Sequence, residues 1–148
     1  MRSVRVFEVE KGAIKKFADA VDDRNPLYWD EEYARKSRYG SIIAPPGFFG
    51  WPTRWDEGYT FPSIFDGSTD PRSALAKAGY GRSLDGGIEY EFFRPVRAGD
   101  TLVVTSGTKD IIEQEGREGK LVFVITEVTY VNQNGDLVAR ACATSIKR

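Results

Sequence analysis

The most informative absence in this sequence of 148 residues is histidine, of which there is none. There is a single cysteine, Cys142, so no internal disulfide can form, and an unpaired thiol suits a reducing compartment such as the cytoplasm. With so few nitrogen and sulfur ligands, neither a structural nor a catalytic zinc site is expected. We therefore expect a cytoplasmic domain that holds no metal and no resident cofactor.

Strong charge and long apolar runs are missing as well. A net charge of −1 gives no electrostatic reason to bind nucleic acid or an anionic membrane. The opening residues 1–6 contain no apolar run long enough for a signal peptide or a membrane-spanning helix. We therefore expect neither nucleic acid nor membrane among the partners of this protein.

The residues that are present fit one domain spanning 1–148. A chain of this length can bury a substantial core, and its 41% apolar and 29% charged residues are ordinary for a globular protein. Helical periodicity precedes an antiparallel meander with an Asn134-Gly135 hairpin signal, which indicates an α+β fold. The pattern predicts helices over 11–22 and 30–37, and strands over 3–9, 84–93, 101–109, 120–131 and 137–146, with Ile111 to Glu118 as a charged strand end and turn.

The stretch from Asp22 to Ala34 runs from the end of the first predicted helix into the start of the second. Asn25-Pro26 is a turn-forming pair, with Asp23 before it and the aromatic Tyr28 after it. Such a turn can present a carboxylate and a phenol to one small volume, a pattern that suits acid–base chemistry. The structural alternative is that Asp23 only ends the first helix and that Tyr28 only packs in the core.

These residues resemble the signature of MaoC-like (R)-specific enoyl-thioester hydratases and 3-hydroxyacyl-thioester dehydratases. That family has the hot-dog fold, an antiparallel sheet wrapped around a central helix, and its catalytic pair is an Asp and a His five residues later. In this sequence Asp23 occupies the Asp position and Tyr28 occupies the His position. Two later segments are also similar to the family, and the order of all three resembles its N-terminal-type, often non-catalytic, branch; the later segments are 90–102, which contains Arg94-Pro95 and Gly99-Asp100, and 130–138.

The resemblance also implies where a substrate would bind. Asn25 and the Ala-Pro-Pro sequence are part of the matching segment, and the central helix is expected over about Pro46 to Trp55. Free N–H groups at that helix start, around Pro46, Gly47 and Phe48, would hold the thioester oxygen. Arg94 is a candidate for the phosphate of coenzyme A or of a carrier protein, although a lone arginine beside a turn is more often only a surface residue. The irregular segment 58–83 is expected either to line the acyl tunnel or to cover an open end of the sheet.

Three functions fit the substitution of His by Tyr28. In the first, the chain is the non-catalytic or substrate-binding half of a hydratase pair, and a related hot-dog subunit carries the histidine. In the second, the chain is an autonomous homodimeric (R)-specific enoyl-CoA hydratase in which Asp23 is the base and Tyr28 the donor. In the third, it is an acyl-CoA thioesterase or acyl-thioester binding protein, which can rely on a single carboxylate. In each case the substrate is an acyl thioester of fatty-acid type.

Overall fold

The computed structural model describes residues 2–48, 71–117 and 119–148. Three α-helices, a short 3-10 turn and five strands make up these residues. In chain order they are β1 (Arg2–Glu8), α1 (Lys11–Ala20), the 3-10 turn (Pro26–Tyr28), α2 (Glu31–Lys36), α3 (Pro71–Lys77), β2 (Ser83–Phe92), β3 (Thr101–Gly116), β4 (Gly119–Val131) and β5 (Leu137–Lys147). Within this described part, no helix is long and apolar enough to cross a membrane.

The five strands form one antiparallel sheet in the order β1-β3-β4-β5-β2. The hairpins β3–β4 and β4–β5 place the longest strands in the middle, while β1 and β2 form the two edges. β4 has the alternation expected of a strand with one covered face, since Val122, Val124, Val128 and Tyr130 are buried and their neighbours only half-buried. The predicted α+β class is therefore confirmed.

The main core lies between one face of this sheet and α1. Ile14 and Ala18 of α1 are fully buried in the same apolar cluster as Val128 and Tyr130 of β4 and as Phe48. Fully burying a side chain of the size of Ile14 or Phe48 contributes about 1.5–3 kcal/mol each. This cluster also holds Tyr28, so the core fixes the position of the candidate catalytic turn.

The structure corrects three sequence-based expectations. Pro71–Lys77 is helical and Ser83 already belongs to β2, so the prediction of an irregular segment over 58–83 is wrong for those residues; its residues 58–70 lie outside the described part. Of the helix expected over about 46–55, Pro46 and Gly47 form a turn instead and Phe48 is the first residue with helical (3-10) geometry, while 49–55 lie outside the described residues. β3 does not end near Lys109 but continues to Gly116, because a register shift between Thr108 and Asp110 lets pairing with β4 resume.

Candidate active site

A sharp reversal after α1 places Asp23. Asp22 adopts the left-handed conformation (φ 52°), which Asp tolerates better than most residues, and the next amide folds back so that Asp23 N–H donates to the carbonyl of Ala18 (2.9 Å). The Asp22 carboxylate binds the Arg24 guanidinium at 2.8 Å on the exposed side of the turn. Asp23 itself is half-buried. The end of α1 therefore leaves Asp23 only partly open to solvent.

The turn from Asp23 to Trp29 is held by its own polar groups. Asn25 N–H donates to Asp23 Oδ1 (3.1 Å), and Asn25 Oδ1 accepts from Leu27 N–H (3.1 Å), which caps the 3-10 turn that begins at Pro26. The indole N–H of Trp29 donates to the carbonyl of Asp23 at 2.8 Å. Asn25 was predicted to bind substrate, and the structure shows it in this capping role.

Tyr28 lies next to Asp23, as the sequence predicted, but in an environment that keeps its phenol protonated. Its side chain is 7% exposed. Burial raises the pKa of Tyr28, the nearby Asp23 carboxylate and the Tyr39 phenol raise it further, and a hydrogen bond with the Asn25 side chain partly opposes them. Since an unperturbed phenol already titrates near ~10, Tyr28 can donate a hydrogen bond at neutral pH but cannot act as a base.

Tyr39 and Arg38 also lie at this site, although no pattern in the sequence pointed to them. Arg38 Nη2 donates to the Tyr39 hydroxyl at 2.6 Å, and its guanidinium lies 4.8 Å from the centre of the Tyr39 ring. Arg97 Nε donates to the carbonyl of Tyr39 at 3.2 Å, which fixes the backbone. Because Arg38 occupies a lone pair of that hydroxyl, the phenolic proton of Tyr39 must be directed elsewhere.

The candidate thioester-binding turn is tied to the Asp23 turn by the backbone. Ile43 N–H donates to the carbonyl of Leu27 (3.3 Å) just before the turn at Pro46 to Phe48. Phe48 was proposed as an oxyanion donor, but its N–H already donates to the carbonyl of Pro45 (3.2 Å), and its ring is fully buried against Phe17. Gly47 has φ 83° and no backbone acceptor among the described residues, so it is the amide of this turn that remains suitable for a substrate oxygen.

Arg94, the candidate phosphate-binding residue, makes structural contacts away from Asp23 and Tyr28. Its guanidinium pairs with the Asp136 carboxylate at 3.3 Å, and the backbone N–H of Arg94 donates to the carbonyl of Val138 (3.2 Å). These contacts join the end of β2 to the β4–β5 hairpin. No described contact brings Arg94 to Asp23 or Tyr28, and its role towards a phosphate stays a prediction.

Neither of two large clefts on the described surface is lined by Asp23 or Tyr28. One, of about 940 Å³, lies between the starts of α1 and α2 and is lined by residues including Lys11, Glu31 and Arg35. The other, of about 690 Å³, lies at the tip of the β3–β4 hairpin beside Arg82 and Lys120. Among the described residues no group of three or more acidic, histidine or cysteine side chains is arranged to hold a metal ion.

Comparison with known proteins identifies the lineage of this site. A family model described as "FAS1-like, dehydratase domain region" matches residues 3–141. The chain belongs to this family. It is 37% identical over 112 residues to a UPF0336 protein of Streptomyces avermitilis, a match that covers 76% of this chain and 68% of that one. It is 31% identical over 129 residues to a probable enoyl-CoA hydratase alpha subunit of Thermomonospora curvata, a match that covers 85% of this chain but 40% of that one.

Solved structures confirm the hot-dog fold for this FAS1-like dehydratase domain. The ChsH1-ChsH2 complex from Mycobacterium tuberculosis contains a chain that superposes with a TM-score of 0.82 at 22% identity, covering 99% of this chain and 88% of that one. A MaoC-like dehydratase from Rhodospirillum rubrum superposes with a TM-score of 0.65 at 26% identity, covering 99% and 90%. The MaoC-like resemblance carried by Asp23 and Asn25-Pro26-Leu27 is therefore confirmed at the level of family and fold.

Proposed function

We propose that this chain is the non-catalytic, substrate-binding subunit of an acyl-thioester hydratase pair, and that a related hot-dog subunit supplies the catalytic histidine. The observation that carries the proposal is the state of Tyr28. A buried phenol whose pKa is raised by burial and by Asp23 stands where the family places a histidine, and the sequence contains no histidine that could take over its role.

The chemistry of hydrating a trans-2-enoyl thioester shows why a tyrosine in place of the histidine matters. A base must take a proton from water, an acid must deliver one to the α carbon, and donors must hold the developing enolate oxygen. Asp23 can accept one proton and Gly47 can offer an N–H, but Tyr28 can only donate. Loss of one member of a concerted acid–base pair costs on the order of 10²–10⁴ in rate.

The comparisons support a two-subunit assembly. One relative is named an alpha subunit of an enoyl-CoA hydratase, and the structure with a TM-score of 0.82 is a complex of two named chains. Half-exposed apolar residues on β2 provide a surface on which such a partner can pack; they are Leu84, Ile88 and Phe92, together with Phe93 just beyond the strand. In this proposal the substrate is a fatty-acid-type thioester of coenzyme A or of a carrier protein, used in the cytoplasm.

A second candidate function is an autonomous hydratase in which Asp23 is the base and Tyr28 the acid. The observation that favours it is their proximity, because the Asp23 carboxylate is close enough to raise the pKa of Tyr28. A phenol that stays protonated is a competent hydrogen-bond donor, so this arrangement retains half of the required chemistry.

The deciding experiment measures hydration of a trans-2-enoyl-CoA by the purified chain beside its Asp23→Asn variant. We expect both to equal the uncatalysed background. Hydration that depends on Asp23 would overturn the proposal in favour of the autonomous enzyme. Release of free coenzyme A from a saturated acyl-CoA, measured in parallel, would instead indicate a thioesterase.

Two substitutions at the same position sharpen this experiment. Tyr28→His restores the family pair, and we expect it to give Asp23-dependent hydration that the unmodified chain lacks. Tyr28→Phe is the matched control, since it removes the hydroxyl but keeps the ring in the core. If Tyr28→His gives no more activity than Tyr28→Phe, Asp23 is not held in a catalytic position.

A further inference from the structure

The cleft at the tip of the β3–β4 hairpin, here called the hairpin-tip cleft, collects positive charge. Four of the chain's 21 basic residues line it, and none of the described residues in its lining is acidic; the four are Arg82, Arg117, Lys120 and Arg148. The whole chain has a net charge of −1, so overall composition does not explain this local excess. A concave surface lined by one sign of charge concentrates small ions of the opposite sign.

Two of the arginines are held side by side by the backbone. Arg82 N–H donates to the carbonyl of Arg148 at 2.9 Å, and Arg148 N–H donates to the carbonyl of Arg82 at 3.1 Å. This pair extends the pairing of β2 with β5 by one residue beyond Ser83 and Lys147. Residues opposed in this way have Cβ atoms about 4.5–5.5 Å apart on one face of the sheet, where like charges repel. A phosphate between the two guanidinium groups would relieve that repulsion, because each fork can donate two hydrogen bonds to its oxygens.

The β3–β4 hairpin supplies the other two cations. Lys120 is already paired with Glu113 at 2.6 Å, and Glu115 lies opposite it in the strand register. The exposed Arg117 has no carboxylate partner among the described residues. Arg117 is therefore the hairpin cation that is available to an anion.

The backbone around the cleft suits an anion as well. The last carbonyl groups of α3, from residues 74 to 76, accept hydrogen bonds from the turn at 78–80, so their negative ends are already compensated. Gly81 N–H has no backbone acceptor among the described residues, and a Cβ at Gly81 would meet nothing within 4 Å. A ligand oxygen can therefore approach this amide closely.

The size of the cleft and one aromatic residue narrow the class of ligand. Its volume of about 690 Å³ lies in the range of small-molecule sites and exceeds what a single phosphate fills. The half-buried Tyr80 belongs to the lining, and an aromatic ring is a surface on which a base can stack. A nucleotide with more than one phosphate therefore fits the cleft better than an inorganic ion.

We propose that the hairpin-tip cleft binds a nucleotide that carries at least two phosphates, held by Arg82, Arg117 and Arg148. Tyr80 packs against the base. The site is separate from the Asp23 turn, which does not line it, and the proposal does not depend on the proposed function. Because the cations are exposed, loss of one weakens binding about three- to tenfold, and added salt weakens it further.

Isothermal titration calorimetry of the purified chain with ADP, pyrophosphate and adenosine tests the proposal. We expect ADP to bind, pyrophosphate to compete with it, and adenosine to bind at least about tenfold more weakly, because it lacks the phosphates. Arg82→Gln and Arg117→Gln should each weaken ADP binding about three- to tenfold, and neither removes a backbone hydrogen bond. Tyr80→Leu should weaken ADP binding but leave pyrophosphate binding unchanged. Arg35→Gln, which removes the same charge from the other cleft, is the matched control and should change neither.

Competition with coenzyme A shows where the phosphates come from. Displacement of ADP by coenzyme A at lower concentration than by unlabelled ADP would assign the cleft to the nucleotide of a thioester carrier. Weaker displacement would assign it to a free nucleotide. Both results support a phosphate site in this cleft.

Four results would overturn the proposal. They are no binding of ADP at low salt, binding of adenosine as tight as that of ADP, an equal loss of ADP binding in Arg35→Gln and Arg82→Gln, and displacement of ADP by sulfate as readily as by pyrophosphate at equal ionic strength. The last would show an adventitious ion only. None of these results bears on hydration of an enoyl thioester, so the hydration assay separates failure of this proposal from failure of the proposed function.

Discussion

Asp100 ties together three segments at one end of the sheet, and its replacement tests that arrangement. Its side chain is 8% exposed in the turn before β3. Its Oδ2 accepts from Arg97 N–H at 2.7 Å, and its Oδ1 accepts from Gln133 Nε2 at 3.0 Å in the β4–β5 hairpin. Its carbonyl accepts from Val9 N–H at 2.7 Å. This one residue therefore joins the end of β1, the turn before β3 and a hairpin.

Asp100→Ala removes both side-chain hydrogen bonds and leaves a half-buried backbone N–H without its partner. A hydrogen bond to a carboxyl group contributes about 1.5–3 kcal/mol when one partner is deleted, and water can replace part of it at this turn. We expect the free energy of unfolding to fall by about 2–4 kcal/mol and the melting temperature by about 6–12 °C for a domain of this size. Asp100→Asn keeps one acceptor oxygen and should lose about half as much.

Thermal unfolding followed by circular dichroism measures these changes. Asp19→Ala is the matched control, because the Asp19 side chain is 65% exposed and meets Arg24 only at 3.5 Å. A surface pair of this kind contributes at most about 1 kcal/mol. If Asp100→Ala unfolds within about 0.5 kcal/mol of the unmodified chain, Asp100 does not hold these segments together.

The structure makes two further predictions. Burial raises the pKa of Tyr28, Tyr90 and Tyr130, so these phenols bind their protons more tightly in the folded state. Their contribution to stability is complete below pH ~10 and is lost as the pH rises above it; denaturant unfolding over a pH series should show this loss, and Tyr130→Phe should reduce it. Gly47→Ala should lower stability by about 1–2 kcal/mol because of φ 83° and not because of a clash, since the new Cβ would lie 3.9 Å from Phe17. Gly47→Asn, which tolerates this conformation better, should cost less in the same unfolding assay.

Periodicity predicted the elements whose apolar residues face one common core. The helix at 11–22 and the strands of the meander other than β3 have that regular pattern, and the structure places them within a few residues of the expected ends. Periodicity did not predict α3, a short helix that follows a segment rich in Gly, Pro and aromatic residues. Pro71 suits a first helical turn, but the helix is too short to show a repeating apolar stripe. Periodicity also ended β3 too early, because the charges at Lys109 and Asp110 resemble a turn, whereas the bulge lets Ile111 and the following residues pair with β4.

The candidate site shows a similar division between local and tertiary information. Asp23 and Tyr28 are five residues apart on one turn, so their proximity follows from local chain geometry, and the sequence predicted it. The approach of Tyr39 to Tyr28 depends on the path of the chain after α2, and no local pattern encodes that path. The hydrogen bond that occupies the Phe48 amide is likewise visible only in the folded turn.

Three residues of the turn that matches the family signature make structural contacts that do not depend on catalysis. Asn25 caps the 3-10 turn, the Asp23 carboxylate accepts an amide N–H, and Trp29 holds the carbonyl of Asp23. The ring of Tyr28 belongs to the buried core and takes no part in these three contacts. They hold the turn and Asp23 in position whether or not the chain is catalytic. For this reason the persistence of Asp23 beside Tyr28 is no evidence of activity, and only the dependence of hydration on Asp23 can supply it.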